Sequence, residues 1–159
     1  MSTRAKPIPE GFRTVTPHLA VRNGSEAIEF YKRAFGAEEV MRMPAPDGKS
    51  IMHAALRIGD CMIMLNDECP EQGGAAAPAT VGGTTVTIHL YVPQVDDSFR
   101  RAVDSGATAV MPPTDMFWGD RYGMVADPFG HHWSIATQTQ VLTPQQMQKN
   151  AEAYFAGVS

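Results

Sequence analysis

The 159-residue chain is 43% hydrophobic and 19% charged, with a formal net charge of −4, the makeup of a globular protein of one domain or two small modules. The acidic balance leaves no basic footprint for nucleic acid, and no apolar run nears the roughly 20 residues of a membrane span. Residues 1–9 hold no apolar leader core, and Cys61 and Cys69 are too few for a disulfide framework, so the expectation is a cytoplasmic protein with reduced thiols.

Taken in order, residues 1–12 read as a loose arm rich in charge and proline. A strand is expected over about 14–21, with Val15, Leu19 and Val21 on one face and Thr16 and His18 on the other. Asn23, with Glu26 three residues on, signals a helix start. Ala27, Ile28, Tyr31, Ala34 and Phe35 then share one helical face, and Gly36 stops the helix. Strands are expected near 38–44, 51–58 and 61–66, with turns at Pro46-Asp47-Gly48 and Gly59-Asp60. Alternation sends Met52, Ala54, Leu56 and Ile58 inward and leaves His53, Ala55 and Arg57 opposite. Cys61, Ile63 and Leu65 are expected against the helix, which makes Cys61 an inert core thiol, with Met62, Met64 and Asn66 on the far side.

The order β-α-β-β-β then repeats. Residues 85–92 (Thr-Val-Thr-Ile-His-Leu-Tyr-Val) echo 14–21, and both following helices close on Gly-Ala, at Gly36-Ala37 and Gly106-Ala107. Val86, Ile88, Leu90 and Val92 form the apolar face of the second copy, opposite Thr87 and His89. Asp96 or Asp97 is expected to cap a helix buried through Phe99, Ala102 and Val103. Strands follow near 108–111, 120–126 and 131–138, the last two joined by the Asp127-Pro128-Phe129-Gly130 turn, with Trp133 and Ile135 inward and His132 and Ser134 outward. The organisation is a first module over 12–68, a flexible linker over 69–83, a second module over 84–140, and a helical appendage over 141–159 whose apolar stripe is Met147, Ala151, Tyr154 and Phe155.

Four of the five histidines fall on the strand faces turned away from the helices. The expected fold is α+β, two tandem βαβββ modules whose mixed sheets form a cup, and the candidate pocket wall is Thr16, His18, His53, Met64, Thr87, His89, His132 and Ser134. Trp118, Arg121 and Tyr122 form a candidate rim, with Phe117 beside it. The aromatics could stack on a planar ligand, while Arg121 either forks an anionic group or pairs internally with Asp120 or Asp127. No nucleophile elbow, phosphate loop or Cys-x-x-Cys is present, and no catalytic residue is assigned.

Three features resemble the vicinal oxygen chelate superfamily, which includes glyoxalase I, extradiol dioxygenases and bleomycin-resistance proteins. These are the tandem modules, the helix Glu26-Ala-Ile-Glu-Phe-Tyr-Lys-Arg-Ala-Phe-Gly-Ala, and the turn Asp127-Pro-Phe-Gly-His-His-Trp. The segment Phe117-Trp118-Gly119-Asp120-Arg121-Tyr122-Gly123 and His53-Ala54 resemble the PhnB-like branch. In metal-dependent members each module supplies one ligand from its first strand and one from its last; the resemblance carries these to Thr16, Thr87, Met64 and Ser134. None is a histidine or carboxylate, so no cofactor is expected and the implied function is metal-independent binding of a small molecule, in a protein that is a homodimer like its relatives. The alternative is a lyase, isomerase or dioxygenase that uses a divalent metal at a displaced His18/His89 site.

The register is open to a direct check by chemical denaturation. Leu90→Asp places an unpaired charge on the helix-facing side and is expected to cost several kcal/mol; a fully stable variant would put the strand register off by one.

Overall fold

A computed structural model of the chain describes residues 4–157; the first residues of the expected N-terminal arm and the last of the C-terminal appendage lie outside them. The chain divides into two compact units that part between Thr85 and Val86. The first contains β1 (His18–Val21), α1 (Gly24–Phe35), β2 (Glu38–Pro44), β3 (Ile51–Ile58) and β4 (Cys61–Asp67), followed by a 3-10 turn at Pro70–Gln72 and the one-turn α2 (Pro78–Val81). The second contains β5 (Thr87–Tyr91), α3 (Val95–Asp104), β6 (Thr108–Asp115), β7 (Asp120–Ala126), β8 (His132–Gln138) and α4 (Pro144–Ala156). Each unit holds one four-stranded mixed sheet, ordered β1-β4-β3-β2 and β5-β8-β7-β6. In each, the first strand lies parallel to the last, because the intervening helix carries the chain across the sheet. The expected α+β tandem of βαβββ modules is therefore what the chain forms.

In the first unit, α1 starts at Asn23, whose side chain accepts the Glu26 N–H at 3.4 Å. Its buried face of Ala27, Ile28, Phe30, Tyr31 and Ala34 shares a core with Leu19, Val21, Ala54, Leu56, Ile63 and Leu65. Three expectations need correction. Val15 is 83% exposed and lies ahead of β1, which starts only after Pro17, a residue with no N–H for a ladder. Ile51 rather than Met52 opens the inward set of β3; Met52 is half exposed. Cys61, at the turn end of β4, is exposed, and the neighbouring Asp60 carboxylate raises its thiol pKa.

The second unit is built on Trp133, Ile135 and Val125, which face Val95 and Ala102 of α3. The buried Asp127 carboxylate accepts the N–H groups of Phe129 and His131 at 2.9 Å each and the Trp133 indole N–H at 2.9 Å, so one side chain shapes the turn and ties it to the core. Val86, expected on the inward face, is 66% exposed and precedes β5. Neither Asp96 nor Asp97 caps α3. The Ncap is Gln94 without a side-chain bond, and the Val95 N–H donates instead to Thr137 Oγ1 at 2.9 Å. β6 runs on through Pro112 and Pro113 to Asp115, four residues past the expected end. Register shifts at Ala109/Met111 and Met111/Thr114 and its place at the sheet edge accommodate the prolines.

Asp67 has the same task in the first unit. Its two carboxylate oxygens accept Gly24 N–H at 2.8 Å and Ile51 N–H at 2.6 Å, joining β4 to the start of α1 and to β3. A Cβ on Gly24 would stand 2.9 Å from Ile51 Cβ and 3.0 Å from Asp67 Oδ2, so the contact requires glycine. Past Asp67, the stretch expected as a flexible linker is tethered: Glu68 accepts from Arg22 Nε at 2.6 Å, Thr80 Oγ1 at 2.6 Å and Ala77 N–H at 2.9 Å.

Asp67→Ala is expected to destabilise the protein by about 2–3 kcal/mol, since it orphans two N–H groups bonded to a charge, and Thr137→Ala by about 1 kcal/mol. Urea denaturation checks both; equal or negligible losses would remove the capping account. The Thr80, Arg22 and Ala77 bonds lower the Glu68 pKa from 4.5 to about 2. A depressed folded-state pKa contributes stability above the ordinary carboxylate range that is lost as pH falls toward about 2. Glu68→Gln is expected to flatten that limb of the denaturation-midpoint profile, and an unchanged limb would show that the tether carries no linkage.

Candidate ligand-binding face

The helix-free face of the second unit gathers chemistry because strand register lines it up. Thr87 pairs with His132, His89 with Ser134 and Tyr91 with Ala136. On the next strand, Tyr122 pairs with Ala136, Met124 with Ser134 and Asp120 with Gln138. Alternation therefore puts Thr87, His89, Tyr91, His132, Ser134, Asp120, Tyr122 and Met124 on one side. His89 Nδ1 and Ser134 Oγ are 2.7 Å apart, which fixes the imidazole over a buried hydroxyl. Its ring centroid lies 4.6 Å from that of Tyr91 and 6.0 Å from that of Tyr122, stacked at 18°, while Trp118 stands 5.5 Å edge-on to Tyr122.

Beneath these rings is Asp120, 4% exposed. Its Oδ2 accepts both the Tyr91 hydroxyl and the Trp118 indole N–H at 3.0 Å. The carboxylate favours the protonated phenol, and the Tyr91 pKa is raised. Trp118 is aimed by the following Gly119, at φ +99°, whose carbonyl accepts the Thr139 and Gln140 N–H groups at 2.9 Å; a Cβ there would come within 2.6 Å of the Gln140 carbonyl. An open groove of about 610 Å³ runs alongside, lined by Tyr91, Val92, Pro93, Thr137 and Gln138.

Arg121 does not join this rim. Strand alternation turns it to the α3 side, where Nε and Nη2 grip Asp96 at 2.7 and 2.9 Å and Nη1 reaches Asp115 at 3.3 Å. It neither forks a ligand on the Tyr122 face nor pairs with Asp120 or Asp127, and its bonds hold the Asp96 carboxyl below the ordinary value. Phe117 is turned toward α4, with centroids 5.5 Å from Tyr154 and 5.9 Å from Phe155, and Asn150 Nδ2 donates to its carbonyl at 3.2 Å. The C-terminal helix thus rests on its own unit, leaving Phe155 64% exposed.

The first unit has a different helix-free face. His18 pairs with Met64, Met64 with Ala55, and His53 with Met43. The His18 and His53 rings meet edge-on at 5.8 Å. Thr16 stands ahead of β1, and its hydroxyl donates to Arg13 O at 3.3 Å.

The resemblance assigns the ligands of a divalent metal to four of these side chains. At the four inherited positions Ser134 is engaged by His89, Thr16 by the backbone, Thr87 offers a neutral hydroxyl and Met64 a soft thioether; this set does not fit a divalent ion held by imidazole or carboxylate. Within either unit, no three His, Cys, Asp or Glu side chains among the described residues cluster as ligands.

Comparison with known proteins agrees with this architecture. A family model, Glyoxalase/Bleomycin resistance protein/Dioxygenase superfamily, matches residues 13–135. The chain belongs to that superfamily. Among superfamily relatives, an uncharacterised protein of Mycobacterium tuberculosis is 49% identical over 136 residues, covering 84% of this chain and 79% of its own. The crystal structure of TioX from Micromonospora is 29% identical with a TM-score of 0.61, covering 82% of this chain and 100% of that one. An Arabidopsis thaliana gene product is 26% identical with a TM-score of 0.63, covering 79% and 98%.

Three members of the face, Tyr91, Asp120 and Met124, carry no site assignment in the sequence. Tyr91 follows His89 at the strand period and could have been assigned by continuing the alternation. Asp120 enters the sequence reading only within the rim triplet Asp120-Arg121-Tyr122 and as a partner for Arg121, although neighbours on a strand point to opposite faces.

Proposed function

We propose that this superfamily member is a small-molecule binding protein of the PhnB-like branch, cytoplasmic and homodimeric, which takes its ligand on the helix-free face of the second unit without a metal at the inherited positions. The observation that carries the reading is the convergence of four rings, His89, Tyr91, Trp118 and Tyr122, on a buried carboxylate and a buried hydroxyl beside an open groove. Apolar walls with a few fixed polar groups are what small-molecule recognition requires. Thr87 and His132 extend the face along the strands, and His18, His53 and Met64 make a separate, softer face in the first unit. The motif 117–123 supports the PhnB-like assignment, and the exposed Tyr154 and Phe155 of α4 support self-association.

The fixed His89 ring also favours a second reading. A hydrogen bond at Nδ1 leaves Nε2 as the coordinating nitrogen, the arrangement that orients histidine ligands, and this supports a lyase, isomerase or dioxygenase with His89 as a metal ligand. Elemental analysis and titration with zinc, nickel, manganese and ferrous iron separate the two. For the binding protein, no metal copurifies, and a screen of planar small molecules finds ligands whose affinity is unaffected by chelator and lost in His89→Ala while the fold persists. One tightly held metal per chain, released by His18→Ala or His89→Ala, would replace this reading with the enzyme.

A further inference from the structure

We infer that the ring-lined face of the second unit selects a cation: a protonated or quaternary amine carried on an apolar or aromatic body. The inference rests on the small-molecule reading above and adds the sign of charge, which the sequence had pointed the other way through Arg121.

Three observations fix the sign. First, Asp120 is 4% exposed, and its Oδ2 is answered by two neutral donors, the Tyr91 hydroxyl and the Trp118 indole. Among the described residues no lysine or arginine pairs with it. The carboxylate accepts both hydrogen bonds with no cation among those residues beside it to compensate it, and a field arising in the interior is screened far less than one in water. Second, Arg121, the nearest cation in sequence, is bound on the opposite side of the sheet by Asp96 and Asp115. Its positive charge is already matched there. Third, Tyr91 and Trp118 point their polar edges at Asp120, so the surface they offer a ligand is ring face, which carries the negative end of the aromatic quadrupole. Tyr91 is 65% exposed and also lines the groove, which places ring and groove within reach of one ligand. Carboxylate and ring faces therefore act in the same direction, attracting an ammonium group and opposing an anion.

The test uses the whole chain labelled with nitrogen-15. Its two tryptophans give two indole N–H signals: Trp118 on the proposed site, and Trp133, bonded to Asp127 in the core, as an internal control. Benzyltrimethylammonium, benzyl alcohol and benzenesulfonate are titrated separately. Saturable movement of the Trp118 signal is expected with the ammonium compound while Trp133 holds still. The ammonium is expected to bind about tenfold more tightly than the alcohol, the order of a desolvated cation–ring contact beside a carboxylate, with no binding of the sulfonate. Asp120→Asn keeps an acceptor for both donors and is expected to erase the tenfold preference. Should that variant fail to fold, the ranking in the unaltered protein decides alone. Alcohol or sulfonate binding as tightly as the ammonium would overturn the charge selection and leave the small-molecule reading standing. Movement of neither signal with any of the three would overturn the inference, and the reading beneath it would fall only if the wider screen were also empty.

Discussion

The frame of each unit depends on one side chain of its last strand reaching the start of its helix. In the first unit this is Asp67, in the second Thr137, each lying beside the end of the parallel first strand. A β-strand followed by a crossover helix leaves orphan N–H groups where the chain turns off the sheet. Supplying the acceptor from the neighbouring strand ties the helix to the sheet and sets the strand pairing at once. Thr137 extends the connection by donating to the Val92 carbonyl at 2.8 Å, and Asp67 does so through the Ile51 N–H. Once the first and last strands are paired in this register, His18 must lie beside Met64 and His89 beside Ser134.

That register explains why the repeat was legible and the site only partly so. Period-two alternation assigned His89, Ser134, Trp133 and Ile135 to their observed sides, and glycine and proline marked the turns between strands. The errors fall where a local rule met a competing constraint. Val15 and Val86 are apolar and alternate correctly, but they lie ahead of the strands and stand exposed. Cys61 has the right parity but sits at the mouth of the Gly59-Asp60 turn, where the helix no longer covers the sheet. Asp96 has the chemistry of a helix cap but lies inside the first turn of α3, two residues past the Ncap Gln94, where an arginine on β7 captures it. No pattern within α3 reveals a partner that lies 25 residues away.

The Asp120-Arg121-Tyr122 triplet shows how a short motif misleads when its secondary structure is set aside. Read as adjacent letters, it pairs an acid with a base beside an aromatic. Placed on β7, it divides: Asp120 and Tyr122 go to the helix-free face and Arg121 to the helix side. The sheet thus separates two charges that the sequence sets side by side, leaving a carboxylate among rings on one surface and a neutralised guanidinium on the other.

The two units also differ on the sheet faces turned away from their helices. Where backbone hydrogen bonds must be met, the copies agree in function even when the residues differ, as Asp67 and Thr137 do. Where the sheet faces away from its helix, no such requirement acts, and the copies diverge. The first presents methionines with His18 and His53, a deformable surface with weak directional preference. The second presents Tyr91 and Trp118 held by a buried acid and His89 held through Nδ1 by a buried serine, so the orientations of these three rings are fixed. Fixed orientation lowers the ordering cost of binding and raises the penalty for a ligand of the wrong shape or charge. A small molecule bound as proposed would therefore be discriminated at the second unit's face, where Asp120 sets the geometry of Tyr91 and Trp118.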